Sequence, residues 1–308
     1  MNRTPGRHDR IIQQIRANLA HKEETGTFEE VPDIGFPVSP LTSRERERRV
    51  AMLEQIRDEV HDCRLCPLSS LRLSRAWAEA AKELGQERLE RMATVARGKK
   101  KDDRRFYERF ARSVPGSGAV DARVMVIGEA PGYYEETAVG DDSDARFGVP
   151  FVGPSGRELN RMLEFAGLRH EEVYVSNTVK CRPPGNRDPN SHEMDPCVHG
   201  TARRRGDGRE GGYLRRQVAI IKPWLILVTG RLAARTILGI DGGVNELRGQ
   251  VYDYPHAAPL GVPVKVFVTY HPAAILRSWQ LGIALADEDW ALIRAMIRQA
   301  HERYGSNQ

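Results

Sequence analysis

From Val120 onward, short apolar runs alternate with amphipathic stretches. "ARVMVIGEA", "EEVYVSNTVKC", "KPWLILVTG" and "VPVKVFVTYHP" are rich in β-branched residues, the pattern of strands buried on both faces. Between them, "SGRELNRMLEFAGL", "YLRRQVAIIKP" and "GRLAARTILG" repeat apolar residues at helical spacing. Near the C-terminus, Trp290, Ile293, Ile297, Ala300 and Tyr304 share one helix face. Strand alternating with helix predicts a parallel sheet covered on both sides. There are no internal repeats.

The N-terminal part reads differently. Residues 1 to about 40 predict a weakly structured tail, with one short helical face at Ile11, Ile15 and Leu19. Thr42 followed by Glu45 is a capping-box pattern. Val50, Leu53, Ile56 and Val60 then recur at helical spacing, in a helix that ends at Cys63 and Cys66. Residues from about 70 to 113 predict a charged, helical insert. From Arg97 to Arg112 it holds eight Lys or Arg against three acids, with Phe106, Tyr107 and Phe110 among them. Such a segment can meet phosphates and bases, or be a solvated helix whose aromatics face the core. A second insert, about 198–212, is rich in Gly and Arg. Arg203 to Arg216 carries six arginines and two acids, a candidate phosphate contact or a solvated loop.

Composition narrows the function classes. The chain has 308 residues, 29% charged and 40% hydrophobic, ample for a buried core. No apolar run is long enough to span a membrane, and the start lacks an apolar signal region, so the expected compartment is the cytoplasm. A formal net charge of +5 leans mildly toward nucleic acid or another anionic partner. There are four cysteines: Cys63, Cys66, Cys181 and Cys197. In a reducing compartment they invite a metal reading, either zinc or an iron–sulfur cluster.

In parallel sheets ligands bind beyond the carboxyl ends of the strands. Glu129, Asn177, the Thr229-Gly230 turn and His271 stand there. Glu129, in "GEAPG", could place a water or stabilise developing positive charge; an acid at that place can also simply tie down a turn. The Asn177 amide offers an acceptor beside donors, the complement of the N3–O4 edge of uracil or thymine; it could instead close a turn. His271 could donate to a leaving group that gains negative charge, or bond a carbonyl. Phe151, in "PFVG", could wall a flat ligand or fill the core.

Together these motifs resemble the family 4 uracil-DNA glycosylases, the thermostable-type iron–sulfur enzymes of bacteria and archaea. The resemblance rests on "GEAPG" at 128–132, "PFVG" at 150–153, "NTVKCRPPGNRDP" at 177–189, "GRLAA" at 230–234, "TYHPAAIL" at 269–276 and the cysteine pattern. It implies a three-layer αβα sandwich around a short central parallel sheet, with an N-terminal helical extension and a catalytic domain over 41–308. By resemblance, Glu129 and His271 are catalytic. Gly128, Ala130, Glu135, Phe151 and Asn177 bind substrate, and Ile275, Leu276 and Arg277 enter the DNA. Cys63, Cys66, Cys181 and Cys197 hold a [4Fe–4S] cluster. Glu135 would exclude the methyl group of thymine. The link "YYEETAVGDDSDARFG" is longer and more acidic than is usual in the family, so Tyr133 or Tyr134 could serve that role instead.

The expected activity is removal of uracil from DNA by base flipping, monofunctional, leaving an abasic site. The expected partner is uracil-containing DNA, with no membrane. The protein is expected to be a monomer, cytoplasmic and nucleoid-associated. A non-catalytic metal-binding protein that holds nucleic acid is the competing reading; it needs the cysteines but not Glu129, Asn177 or His271.

Overall fold

A computed structural model describes residues 31–36, 38–87, 111–139, 146–200, 211–277 and 279–305. Ile11, Ile15, Leu19, most of the basic 97–112 stretch with Phe106, Tyr107 and Phe110, and most of the Gly/Arg-rich insert lie outside the described residues.

The four apolar runs form strands. They are β2 (Val124–Gly128), β3 (Val173–Asn177), β4 (Leu225–Thr229) and β6 (Lys265–Thr269). They lie parallel, in the order β3-β2-β4-β6. Two short strands, β1 (Ser117–Gly118) and β5 (Val251–Asp253), add antiparallel edges, which makes the sheet mixed rather than wholly parallel. At two and three residues they are too short to show a period in the sequence.

Side chains of the central strands divide by alternation. Met125, Ile127, Ile226, Val228, Val266 and Val268 face one layer. That layer holds α1 (Ser43–Asp62), the start of α2 (Pro67–Leu84), α5 (Ser191–Val198), α6 (Tyr213–Ile221) and α7 (Arg231–Leu238). Val124, Val126, Val173, Val175, Leu225, Leu227 and Phe267 face the other. There they meet α4 (Pro154–Phe165), α9 (Pro272–Arg277) and α10 (Trp279–Tyr304). The result is the expected three-layer sandwich. Among the described residues, no helix is long and apolar enough to cross a membrane.

Thr42 caps α1 through its hydroxyl, which accepts from the Glu45 N–H at 3.2 Å. Leu53, Ile56 and Val60 are buried as the spacing predicts, whereas Val50 is exposed. It stands one turn before the packed stripe begins. Part of the expected tail is docked rather than loose. Ile34 is buried, the Trp224 indole donates to the Phe36 carbonyl at 3.0 Å, and Tyr304 donates to Asp33 at 2.7 Å.

The turn before α4 depends on a close backbone approach. A Cβ on Gly156 would lie 1.7 Å from the Phe151 carbonyl oxygen, and Phe151 itself holds φ at 52°. Backbone cannot yield as a side-chain tip can. Gly156→Ala should therefore destabilise the protein by about 1–3 kcal/mol, read from chemical denaturation. An unchanged midpoint would refute this tight packing.

Candidate active site

The strand register aligns the carboxyl ends: Gly128 pairs with Asn177, and Thr229 with Thr269. The residues just beyond then converge on a cleft of about 510 Å³, lined among others by Glu129, Ala130, Glu135, Phe151, Asn177 and His271. A wider groove, about 910 Å³, runs alongside between α5 and α7, past His192, Asp195, His199 and Arg235. It lacks this convergence of an aromatic face, an amide and an acid.

Glu129 turns toward the start of α7, where the Leu232 N–H donates to its Oε1 at 2.9 Å. Burial raises its pKa above the ordinary glutamate value, and Asp188 adds to this. The Leu232 N–H, Arg231 and Arg277 pull the other way. The result is a carboxylate held in a dry place by one N–H and the positive end of a helix.

His271 follows β6. Its Nδ1 accepts from the Ala273 N–H at 3.2 Å, so the neutral ring carries its proton on Nε2. Burial, aided by Arg277, pushes its pKa down to about 4. The ring stacks on Phe151 with centroids 5.7 Å apart and planes 28° apart.

Phe151 is buried, and its N–H donates to Glu135. Glu135 also accepts from the Gly132 N–H at 2.5 Å. Burial raises the Glu135 pKa, opposed by Gly132, Phe151 and the neighbouring Asn177 side chain. Asn177 is 1% exposed, and its Nδ2 has no partner in hydrogen-bond geometry. Its neighbour is the Glu135 carboxylate, outside hydrogen-bond geometry, so the buried donor is available to a ligand in the cleft.

On the other face of β3 lies a small cavity lined by Cys63, Cys66, Cys181 and Cys197. Cys63 ends α1, Cys66 precedes α2, Cys181 follows β3 and Cys197 sits in α5. Burial raises the thiol pKa of Cys66, of Cys181 (to about 11) and of Cys197, and charge on the neighbouring cysteines raises each further. Arg72 is fully buried near Cys181. One of its nitrogens donates to the His61 carbonyl at 2.9 Å, while Nε and Nη1 lack a partner. Such a guanidinium suits an anionic group. Among the described residues no three His, Cys, Asp or Glu side chains are gathered as for a single metal ion.

A uracil DNA glycosylase superfamily model matches residues 115–295. The type-4 uracil-DNA glycosylase of Archaeoglobus fulgidus is 39% identical over 172 residues, 54% of this chain and 74% of that relative. Those of Pyrobaculum aerophilum and Sulfurisphaera tokodaii are 37% and 35% identical, over 54% and 62% of this chain and 74% and 78% of the relatives. The chain belongs to the type-4 uracil-DNA glycosylases.

Within this type-4 glycosylase the expected residues fall unevenly. Glu129, Ala130, Glu135, Phe151, Asn177 and His271 share the cleft, with Leu276 and Arg277 at its rim. Gly128 lies beneath it. A Cβ there would stand 2.5 Å from Asn177 Oδ1 and 2.7 Å from Phe151 Cζ. Ile275 is the exception. It is 2% exposed and packs in the core with α4 and α10, so it is a poor candidate for entering DNA; Leu276, 48% exposed, projects instead. On a short helix one residue faces in and the next faces out.

Sequence reasoning missed Leu232, which positions Glu129. It also missed Lys180, whose buried Nζ donates to Ser176 Oγ at 2.5 Å, the Asn177 carbonyl at 2.8 Å and Gln217 Oε1 at 3.0 Å, burial pushing its pKa down to about 7. A basic residue inside "NTVKC" was the available signal.

The raised Glu129 pKa has a cost in stability. The folded state binds its proton more tightly than the unfolded chain does, so stability falls as pH rises from the unfolded value through the folded one. Glu129→Gln should melt at a higher temperature than the parent at neutral pH. The gain should vanish once pH drops below the ordinary glutamate value. Equal melting temperatures at neutral pH would contradict the burial of this charge.

Proposed function

We infer that this protein is a uracil-DNA glycosylase: it hydrolyses the N-glycosidic bond of deoxyuridine in DNA, releasing uracil and leaving an abasic site. The observation that carries this is the meeting of an aromatic face, an open buried amide, a neutral histidine and a buried carboxylate in one cleft. A protein that only held nucleic acid would need none of these four together.

The geometry supports a role for each residue. The uracil ring lies against Phe151. Asn177 accepts from N3–H with its carbonyl and donates to O4 with its open Nδ2; cytosine presents the reverse pattern and leaves both groups unpaired. Glu135, fixed by two backbone N–H groups, stands as the barrier to a C5 methyl. As the glycosidic bond lengthens, negative charge grows on the base and positive charge on the sugar. His271 Nε2–H donates to uracil O2, and Glu129 orients water or stabilises the cationic sugar. Among the described residues no lysine lines the cleft, which supports a monofunctional enzyme.

A [4Fe–4S] cluster would be held by Cys63, Cys66, Cys181 and Cys197. Four thiols on one cavity and the unpaired Arg72 nitrogens support it. Those four residues would then join the end of α1, the loop after β3 and α5 through their thiolates. The cleft is completed by one chain, in keeping with a monomer. Action on the chromosome fits a cytoplasmic, nucleoid-associated protein.

A uracil-containing oligonucleotide treated with the protein and then with alkali should be cut at the uracil. His271→Ala should reduce the rate by about 10²–10³, and Asn177→Asp should gain release of cytosine. No cut products from the parent protein would overturn the activity, and undiminished uracil release by Asn177→Asp would overturn the amide's role.

The pH profile separates the two catalytic groups. Glu129 acts ionised and His271 acts neutral. The acid limb of kcat/KM should therefore lie above the ordinary glutamate pKa and retreat to the His271 value, about 4, in Glu129→Gln. His271, at about 4, should leave no inflection near 6.5. A limb near 6.5 that survives in Glu129→Gln would refute the assignment.

A further inference from the structure

Two tyrosines at the cleft have no part in the chemistry above. Tyr133 and Tyr134 open the short helix α3 (Tyr133–Thr137) and are 54% and 60% exposed. Both line the mouth of the cleft, with ring centroids 5.8 Å apart and planes at 74°. Their exposure sets them outward, while Glu135, next in the chain, is buried inward.

The support beneath them is rigid. Glu135 is fastened by the Gly132 and Phe151 N–H groups. Buried Glu136 accepts from Arg75 at 2.5 Å and from Arg182 at 3.3 Å. The Arg182 guanidinium also lies 5.2 Å from the Tyr133 ring centre, and Tyr134 lies against the turn at Gly153. Leu276 and Arg277 stand at the same mouth. Two adjacent exposed rings on a pinned helix at the mouth of a cleft form the kind of apolar patch that marks a binding surface.

We propose that Tyr133 and Tyr134 form a stacking platform for the nucleobase next to the extruded deoxyuridine in the same strand. This rests on the reading of the cleft as the uracil pocket. When one base enters the cleft, its neighbour loses a stacking partner and reaches the mouth. An aromatic ring there replaces that partner without reading sequence, because every base has a π-face. Arg182, beside the ring, adds positive charge near the following phosphate.

The test uses uracil oligonucleotides that keep, or lack, the base on the 5′ or the 3′ side of the uridine. With the parent protein, removing the base on one side should lower kcat/KM by about 10-fold. The Tyr133→Ala/Tyr134→Ala protein should lose a similar factor on the intact strand and become indifferent to the missing base. Phe at both positions should restore the parent behaviour. A double-Ala protein that still senses the missing base, or that loses nothing on the intact strand, overturns the proposal. Binding of the same oligonucleotides is measured alongside by fluorescence anisotropy, with the same pattern expected in Kd. If the parent releases no uracil, the reading of the cleft fails. The Kd pattern then still decides the platform.

Discussion

The hydrogen-bonded register that sets Gly128 beside Asn177 is the constraint on which the cleft depends. It brings the open amide, the Phe151 ring and the start of the "GEAPG" turn within van der Waals reach of one backbone atom. Any side chain at 128 would collide with both the amide oxygen and the ring. The Asn177 amide and the Phe151 ring therefore both depend on the same glycine. Glu129, one residue on, is carried past the sheet edge to the first turn of α7, and His271 arrives from β6 by the same alignment of strand ends.

Burial then sets the protonation states. A dry environment disfavours charge, so it pushes the Glu129 pKa up and the His271 pKa down. Burial and Arg277 both favour the neutral histidine. The carboxylate needs the Leu232 N–H, Arg231 and Arg277 to stay ionised. The two groups thus share Arg277, which favours the anion of one and the neutral form of the other.

The reading strand joins two centres. One side of its end carries the Asn177 amide in the cleft; the other leads through Lys180 to the cysteine cavity. Lys180 bonds the Asn177 carbonyl while lying beside Cys197, and Arg72 stands near Cys181. Burial pushes the Lys180 pKa down to about 7, while the Arg72 guanidinium has two nitrogens unpartnered. Through Lys180 the backbone at Asn177 is hydrogen-bonded to the side chain that stands beside Cys197.

Much of this was legible in the chain. Four continuous β-branched runs separated by helical stretches determine a doubly covered parallel sheet, because only burial on both faces tolerates such strands. The chemistry-bearing residues could be found because parallel strands place their ends together, so a residue after a strand is a residue at the site. Other features were decided only in three dimensions. That Ile275 faces the core while Leu276 faces out depends on how α9 packs on α4. That Tyr133 and Tyr134 turn outward while Glu135 turns in depends on two backbone N–H groups, one of them sixteen residues away. Neither fact has a local signature, since adjacent residues on a short helix differ only in what lies opposite them. The burial of Arg72 and Lys180 was hidden for a related reason: a charged residue reads as solvated until its partners, distant in sequence, close around it.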